Sequence, residues 1–135
     1  MVESESAPRQ EAKSARRVLI VDDNVDAAET LAEFLVILGH EVRTANDGPR
    51  ALAVAGEWRA DLVLLDIGLP GMNGFEVARA LRLLPLPPGS VVALSGYGLE
   101  GDGPRSAAAG FDQHLLKPVE ISKLEALLLA TRAAH

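Results

Sequence analysis

Three uninterrupted apolar runs, each stopping at a polar residue, restrict this chain more than any other feature. Val18-Leu19-Ile20-Val21 ends on Asp22-Asp23, Leu62-Val63-Leu64-Leu65 ends on Asp66, and Val91-Val92-Ala93-Leu94 ends on Ser95. Such runs, bounded by turn residues, suit strands buried on both faces, as central strands of a parallel sheet are. Between them the apolar period becomes helical. Asn24 is a predicted N-cap with Asp26 and Glu29 near the positive end of a helix dipole, Ala28, Leu31, Ala32, Leu35 and Leu38 form one apolar face, and Gly39 is the stop. Glu41 to Ala45 reads as a weaker edge strand. A second helix enters at Asp47-Gly48-Pro49, packs Ala51, Leu52 and Ala55 and is expected to end at Gly56, with Trp58 as a packing residue behind it.

The loop after Asp66 contains Gly68, Pro70, Gly71 and Gly74, with Met72 expected to pack in it. Phe75, Val77, Ala78, Leu81 and Leu84 then form a third helix, broken by Pro85-Leu86-Pro87-Pro88-Gly89. Beyond Ser95 the glycine-rich YGLEGDGP leaves room only for a short helix from Pro104 to Ala109. Gln113 to Leu116 is the fifth strand, ending on Lys117-Pro118, and the last helix turns Ile121, Leu124, Leu127 and Leu128 inward. Five strands alternating with five helices predict an α/β fold with a parallel sheet covered on both faces. Residues 1–16 are expected to be a disordered tail, 17–131 the folded domain and 132–135 a frayed end.

The 135 residues make one domain, so any second activity is expected on another chain. Only 4% of the residues are aromatic, which leaves the core to Leu, Val, Ile and Ala. A formal net charge of -6 without a basic stripe argues against a nucleic-acid surface. No apolar run reaches a membrane span, and Arg16-Arg17 leads into a short strand and acids rather than an export signal. Without cysteine there is neither disulfide nor thiolate chemistry, and the cytoplasm is the default location.

Asp22, Asp23, Asp66, Ser95 and Lys117 all stand at the carboxyl ends of strands, where open α/β sheets place their chemistry. If the strand order is 2-1-3-4-5, strands 1 and 3 are neighbours and the acid pair lies beside Asp66. Clustered carboxylates repel unless a cation binds, and hard oxygen donors with room for water favour Mg²⁺ or Mn²⁺. A carboxylate beside such an ion can attack a phosphoryl group. Lys117 adds a point charge, and Ser95 offers a hydroxyl to a phosphoryl oxygen.

LIVDDN, LLDIGLPGMNGFEVARAL, ALSGYG and AGFDQHLLKPV resemble the signature segments of response-regulator receiver domains of two-component signalling, over roughly Arg17 to Ala130. The wording of the last two is most similar to receivers of hybrid histidine kinases or their stand-alone relatives. The resemblance implies a flavodoxin-like (βα)5 three-layer sandwich with strand order 2-1-3-4-5. It makes Asp66 the phospho-acceptor, with Asp22, Asp23, Asp66 and the Gly68 carbonyl holding the metal. Ser95 becomes the switch hydroxyl and Lys117 the phosphate-pairing lysine, followed by a cis Lys117-Pro118 bond. Where many receivers carry a rotating aromatic this chain has His114, which either swings inward with Ser95 or is a surface residue.

The implied partners are a histidine kinase or phosphotransfer protein and an unknown output partner, with the domain a monomer or weak homodimer. Its catalysis is of its own phosphorylation and dephosphorylation, so it is no enzyme in the conventional sense. Gly68 and Tyr97 lie where receivers tune hydrolysis, and together they predict a slow-decaying phosphoaspartate. Two other classes compete with this reading. An aspartyl-phosphate phosphohydrolase needs a second acid two residues after its nucleophile, where Gly68 stands. A receiver-like scaffold that works without phosphorylation would not need the complete set of acids, hydroxyl and lysine.

Overall fold

In the computed structural model, which describes residues 15–68, 73–95 and 110–130, the apolar runs become neighbouring strands of one sheet. β1 (Arg17–Val21), β2 (Glu41–Ala45), β3 (Leu62–Asp66), β4 (Ser90–Ser95) and β5 (Gln113–Leu116) are parallel and lie in the order β2-β1-β3-β4-β5. Among the described residues there are four helices, α1 (Val25–Ile37), α2 (Gly48–Glu57), α3 (Gly74–Arg82) and α4 (Ile121–Ala130). The predicted short helix at Pro104 to Ala109, the frayed end, Met72 and Tyr97 lie outside the described residues.

Side chains alternate along a strand, so each central strand feeds two cores. Leu19, Val21, Val63, Leu65 and Ala93 pack with Ala51 and Ala55 of α2 and Val77 and Leu81 of α3. Val18, Ile20, Leu62, Leu64 and Leu94 pack on the opposite face with Leu35 of α1 and Leu124 and Leu128 of α4. This is the expected three-layer flavodoxin-like sandwich. Each fully buried Leu or Val contributes roughly 1.5–3 kcal/mol of transfer free energy, which is why the continuous runs hold the middle of the sheet. β2, with charged Glu41 and Arg43 exposed, occupies an edge as its weaker pattern predicts.

Some boundaries differ from the sequence reading. Gly56 does not end α2; it sits inside a helix that continues to Glu57 and stops when Trp58 turns to extended backbone and buries its ring. Arg43 and Arg17 lie over that ring, at 4.8 and 5.8 Å from its centroid. α3 ends at Arg82, short of the Leu84 to which its apolar period ran, because Leu83 caps it and points to solvent while Leu84 folds back on the core. Leu38 is a half-exposed C-cap, and Ile121 is only partly buried at the start of α4. Gly39 terminates α1 as expected, at φ 100°.

Arg16, inside the predicted tail, already belongs to the fold. Its carbonyl accepts from Glu41 N–H at 3.0 Å, and its own N–H donates to His40 Nδ1 at 3.0 Å. Burial first, and then the Arg16 charge, lower the His40 pKa from its ordinary value of 6.5. Protonated Nδ1 cannot accept, so folding favours the neutral ring. A depressed folded pKa means that this contribution is complete above 6.5 and is lost as the pH falls through the lowered folded value. Urea melts at stepped pH should show wild type losing more stability below pH 6.5 than His40→Asn; parallel curves would remove His40 from the acid response.

The opposite, amino-terminal edge of the sheet is tied by side chains that the sequence reading did not assign. Asp61 is completely buried; its Oδ2 accepts Arg17 N–H at 2.8 Å, while its N–H donates to Arg17 O and its carbonyl accepts from Ser90. Asp112 accepts Val91 N–H at 2.8 Å and pairs with Arg82, which also donates to the carbonyls of Gly110 and Pro88. These contacts set where β3, β4 and β5 begin.

Candidate functional site

Because β1 and β3 are adjacent and in parallel register, Val21 opposite Leu65, the residues that follow them come together. Asp22, Asp23 and Asp66 each offer a carboxylate oxygen, and these atoms lie within 4.8 Å of one another. Asp22 is 3% exposed, Asp66 is partly buried and Asp23 is open to solvent. β1 continues for one more ladder bond, Asp22 N–H to Ala45 O, which holds Asp22 at the strand end. Its Oδ1 accepts from Asn24 N–H at 3.0 Å, so one short segment both caps α1 and orients the acid.

Lys117 arrives from β5. Its backbone N–H donates to Ser95 O at 2.7 Å, locking the end of β5 to the end of β4, and the Lys117–Pro118 bond is cis. Its Nζ then straddles the cluster, 2.9 Å from Asp22 Oδ2 and 3.0 Å from Asp66 Oδ2. Burial opposes the ammonium charge, but hydrogen bonds and charge from Asp22 and Asp66 outweigh it, and the Lys117 pKa is raised from 10.5. The lysine is therefore charged at every physiological pH. The other oxygen of Asp66, Oδ1, accepts Gly68 N–H at 2.8 Å.

Three carboxylates against one ammonium leave two negative charges in excess. The donors are all oxygen, and Asp23 keeps the group open to water, which fits a hard divalent ion better than a soft one. Ser95 stands at the end of β4 beside Leu116 of β5. His114 is exposed on β5, its ring 6.5 Å from Phe111, so this structure places it at the surface. A cleft of about 770 Å³ between α1 and α4 opens from Asp22 and Lys117 over Leu31, Phe34 and Leu94. A groove of similar size between α1 and β2 is lined by Val36, Val42 and Arg43 and lies away from the acids.

Residues 18–129 match the family of response regulator receiver domains. The chain belongs to that family. Its receiver domain is 39% identical over 119 residues to the transcriptional regulatory protein PrrA of Mycobacterium leprae, covering 87% of this chain and 50% of PrrA. It is 37% identical over 115 residues to the DNA-binding response regulator MtrA of Mycolicibacterium paratuberculosis, covering 85% of this chain and 50% of MtrA. The solved receiver domain of sensor histidine kinase PA1611 from Pseudomonas aeruginosa, with a magnesium ion in its active-site cleft, superposes with TM-score 0.74 at 28% identity. The match covers 84% of this chain and 94% of that one. The receiver thus spans about half the length of the curated relatives. Their names also bear on the charge argument against nucleic acid: MtrA is a DNA-binding protein, so that expectation has no support from its relatives. Among the described residues no helix is long and apolar enough to cross a membrane.

Proposed function

We propose that this receiver takes a phosphoryl group from a phosphohistidine onto Asp66, and that the observation carrying the reading is Lys117 Nζ lying 2.9 and 3.0 Å from Asp22 and Asp66. Asp66 supplies the nucleophilic oxygen. The donor's P–N bond breaks with its electron pair going to the ring nitrogen, while a P–O bond forms to the Asp66 carboxylate. Lys117, already within hydrogen-bond reach of Asp66, pairs with the phosphoryl oxygens as charge builds there. Asp22, Asp23, Asp66 and the Gly68 carbonyl would hold Mg²⁺ or Mn²⁺, which would supply the charge neutralisation that lets two anions meet.

Ser95, at the neighbouring strand end, is the hydroxyl that senses the new phosphoryl group, and the exposed His114 on β5 either swings inward with it or stays a surface residue. The cleft beside Asp22 and Lys117 gives the donor, a histidine kinase or phosphotransfer protein, room to approach. Signalling then runs through a change in partner binding, in the cytoplasm. The reaction modifies the receiver itself, so the domain turns over no separate substrate.

Intact mass after incubation with acetyl phosphate and Mg²⁺ tests this directly. Wild type should gain one phosphoryl group, and Asp66→Ala or omission of Mg²⁺ should remove the gain entirely. No adduct together with no beryllofluoride binding would sink the reading and favour a scaffold that works unphosphorylated. Decay of the adduct after donor removal is expected to be slow, since Gly68 has no side chain to orient water beside Asp66 Oδ1.

A further inference from the structure

Asp66 is followed by an unusually tight backbone contact. Ile67 is the last residue tied to the sheet, its N–H donating to Leu94 O at 3.1 Å. The chain returns to it at the first residue of α3, where Gly74 N–H donates to Ile67 O at 3.3 Å. A Cβ on Gly74 would lie 2.4 Å from Ile67 Cα and 2.9 Å from Ile67 Cβ. The clash is with backbone, so no side-chain rotation can relieve it. We infer that Gly74 is a positioning residue for phosphoryl transfer: its lack of a side chain lets α3 close against Ile67 and hold the Asp66–Gly68 segment in its reactive geometry.

This inference rests on the phospho-acceptor reading and goes further, because it says which element must yield when the contact is filled. Ordinary contact begins near 3.4 Å, so the two segments must part by about 1 Å. α3 cannot readily retreat: Phe75, Val77, Ala78 and Leu81 are buried, and a reciprocal capping box between Asn73 and Glu76 fixes its first turn. β3 cannot retreat either, since it is paired with β1 as far as Leu65 and with β4 as far as Asp66. Among the described residues, Ile67 N–H is bonded to Leu94 O, Ile67 O accepts from Gly74 itself, the Ile67 side chain is only partly buried and Gly68 N–H lies on Asp66 Oδ1; these ties are weaker than those of α3 or β3, so the displacement falls on Ile67 and Gly68. That moves the Gly68 N–H off Asp66 Oδ1, and with it the Gly68 carbonyl that the functional reading assigns to the metal. A misplacement of about 1 Å at reacting groups can cost about a hundredfold in rate.

The experiment compares wild type, Gly74→Ala, Asn73→Ala and Gly56→Ala. Gly56 is a helical glycine whose added Cβ meets nothing within 4 Å, and it controls for the substitution itself. Amide-shift titration with Mg²⁺ and the saturation curve for acetyl phosphate are read alongside thermal melts. Gly74→Ala should stay folded, bind Mg²⁺ at least tenfold more weakly and lose about a hundredfold in maximal rate; Gly56→Ala should match wild type. A folded Gly74→Ala with wild-type Mg²⁺ affinity and rate overturns the inference. Should Gly74→Ala not fold, Asn73→Ala, which frees the cap beside the contact, decides: a several-fold loss of Mg²⁺ affinity supports the inference and a wild-type value overturns it. If wild type itself takes no phosphoryl group, the functional reading fails, while the Mg²⁺ titration still judges Gly74.

Discussion

Lys117→Met should lower the maximal rate of phosphorylation by acetyl phosphate by at least about a hundredfold while tightening Mg²⁺ binding. Methionine keeps much of the length and apolar stem but removes the cation that, among the described residues, bridges two of the three carboxylates. Donors aimed at developing charge in a partly dry site are worth about 10²–10³ in rate, and Lys117 is the only side-chain cation within salt-bridge distance of Asp66 among the described residues. The ground state responds in the opposite sense. Lys117 neutralises part of the charge on Asp22 and Asp66, so its removal leaves a more negative site for a divalent ion. Two unit charges about 4 Å apart interact by about 4 kcal/mol at an effective dielectric of 20; solvent access to Lys117 cuts this well down, and an affinity gain of several-fold is expected. Mg²⁺ titration followed by amide shifts, with single-turnover mass spectrometry, separates the two effects. A variant with wild-type rate and unchanged affinity would show Lys117 to be a purely structural bridge.

The second large effect lies at the other edge of the sheet. Asp61→Ala should destabilise the fold by about 2–4 kcal/mol without weakening Mg²⁺ binding. The part-buried Arg17 N–H loses its acceptor at 2.8 Å, an unmade bond that costs about 1–3 kcal/mol, and the removal of the fully buried carboxylate leaves a void beside it. For a domain of this size that is a fall of roughly 10 °C in Tm. Asp61→Asn, which keeps a carbonyl oxygen, should lose less than half as much. The strands carry the site at their carboxyl ends and Asp61 at an amino end, so metal affinity measured well below Tm should stay at the wild-type value. A loss under about 1 kcal/mol in urea melts would mean that the carboxylate is dispensable.

Asp61 and Asp66 bound the same strand, yet only Asp66 was recognisable as special from sequence. An acid that ends an apolar run before a glycine-rich loop has a strand-end position, and that position carries chemistry in parallel sheets. An acid before the run looks like any turn residue; its worth lies in Arg17, 44 residues away, presenting an N–H at a dry edge. Gly56 and Gly74 make the same point. Gly56 looked like a helix stop and is interior helix, because nothing forces a positive φ there; Gly74 looked like one loop glycine among several and is the site of a backbone contact no other residue could make.

The five strands, the four described helices and the acids at the strand ends were legible along the chain because they depend on local period and on turn chemistry, which neighbouring residues carry. The joint work of those acids was not local. Lys117 reaches Asp22 across 95 residues and Asp66 across 51. Whether it pairs with one, with both or with neither depends on the parallel register of β1, β3, β4 and β5, to which every strand contributes through a shared ladder and a shared core. Local period names the residues that can take part; only cooperative packing brings their atoms to hydrogen-bond distance.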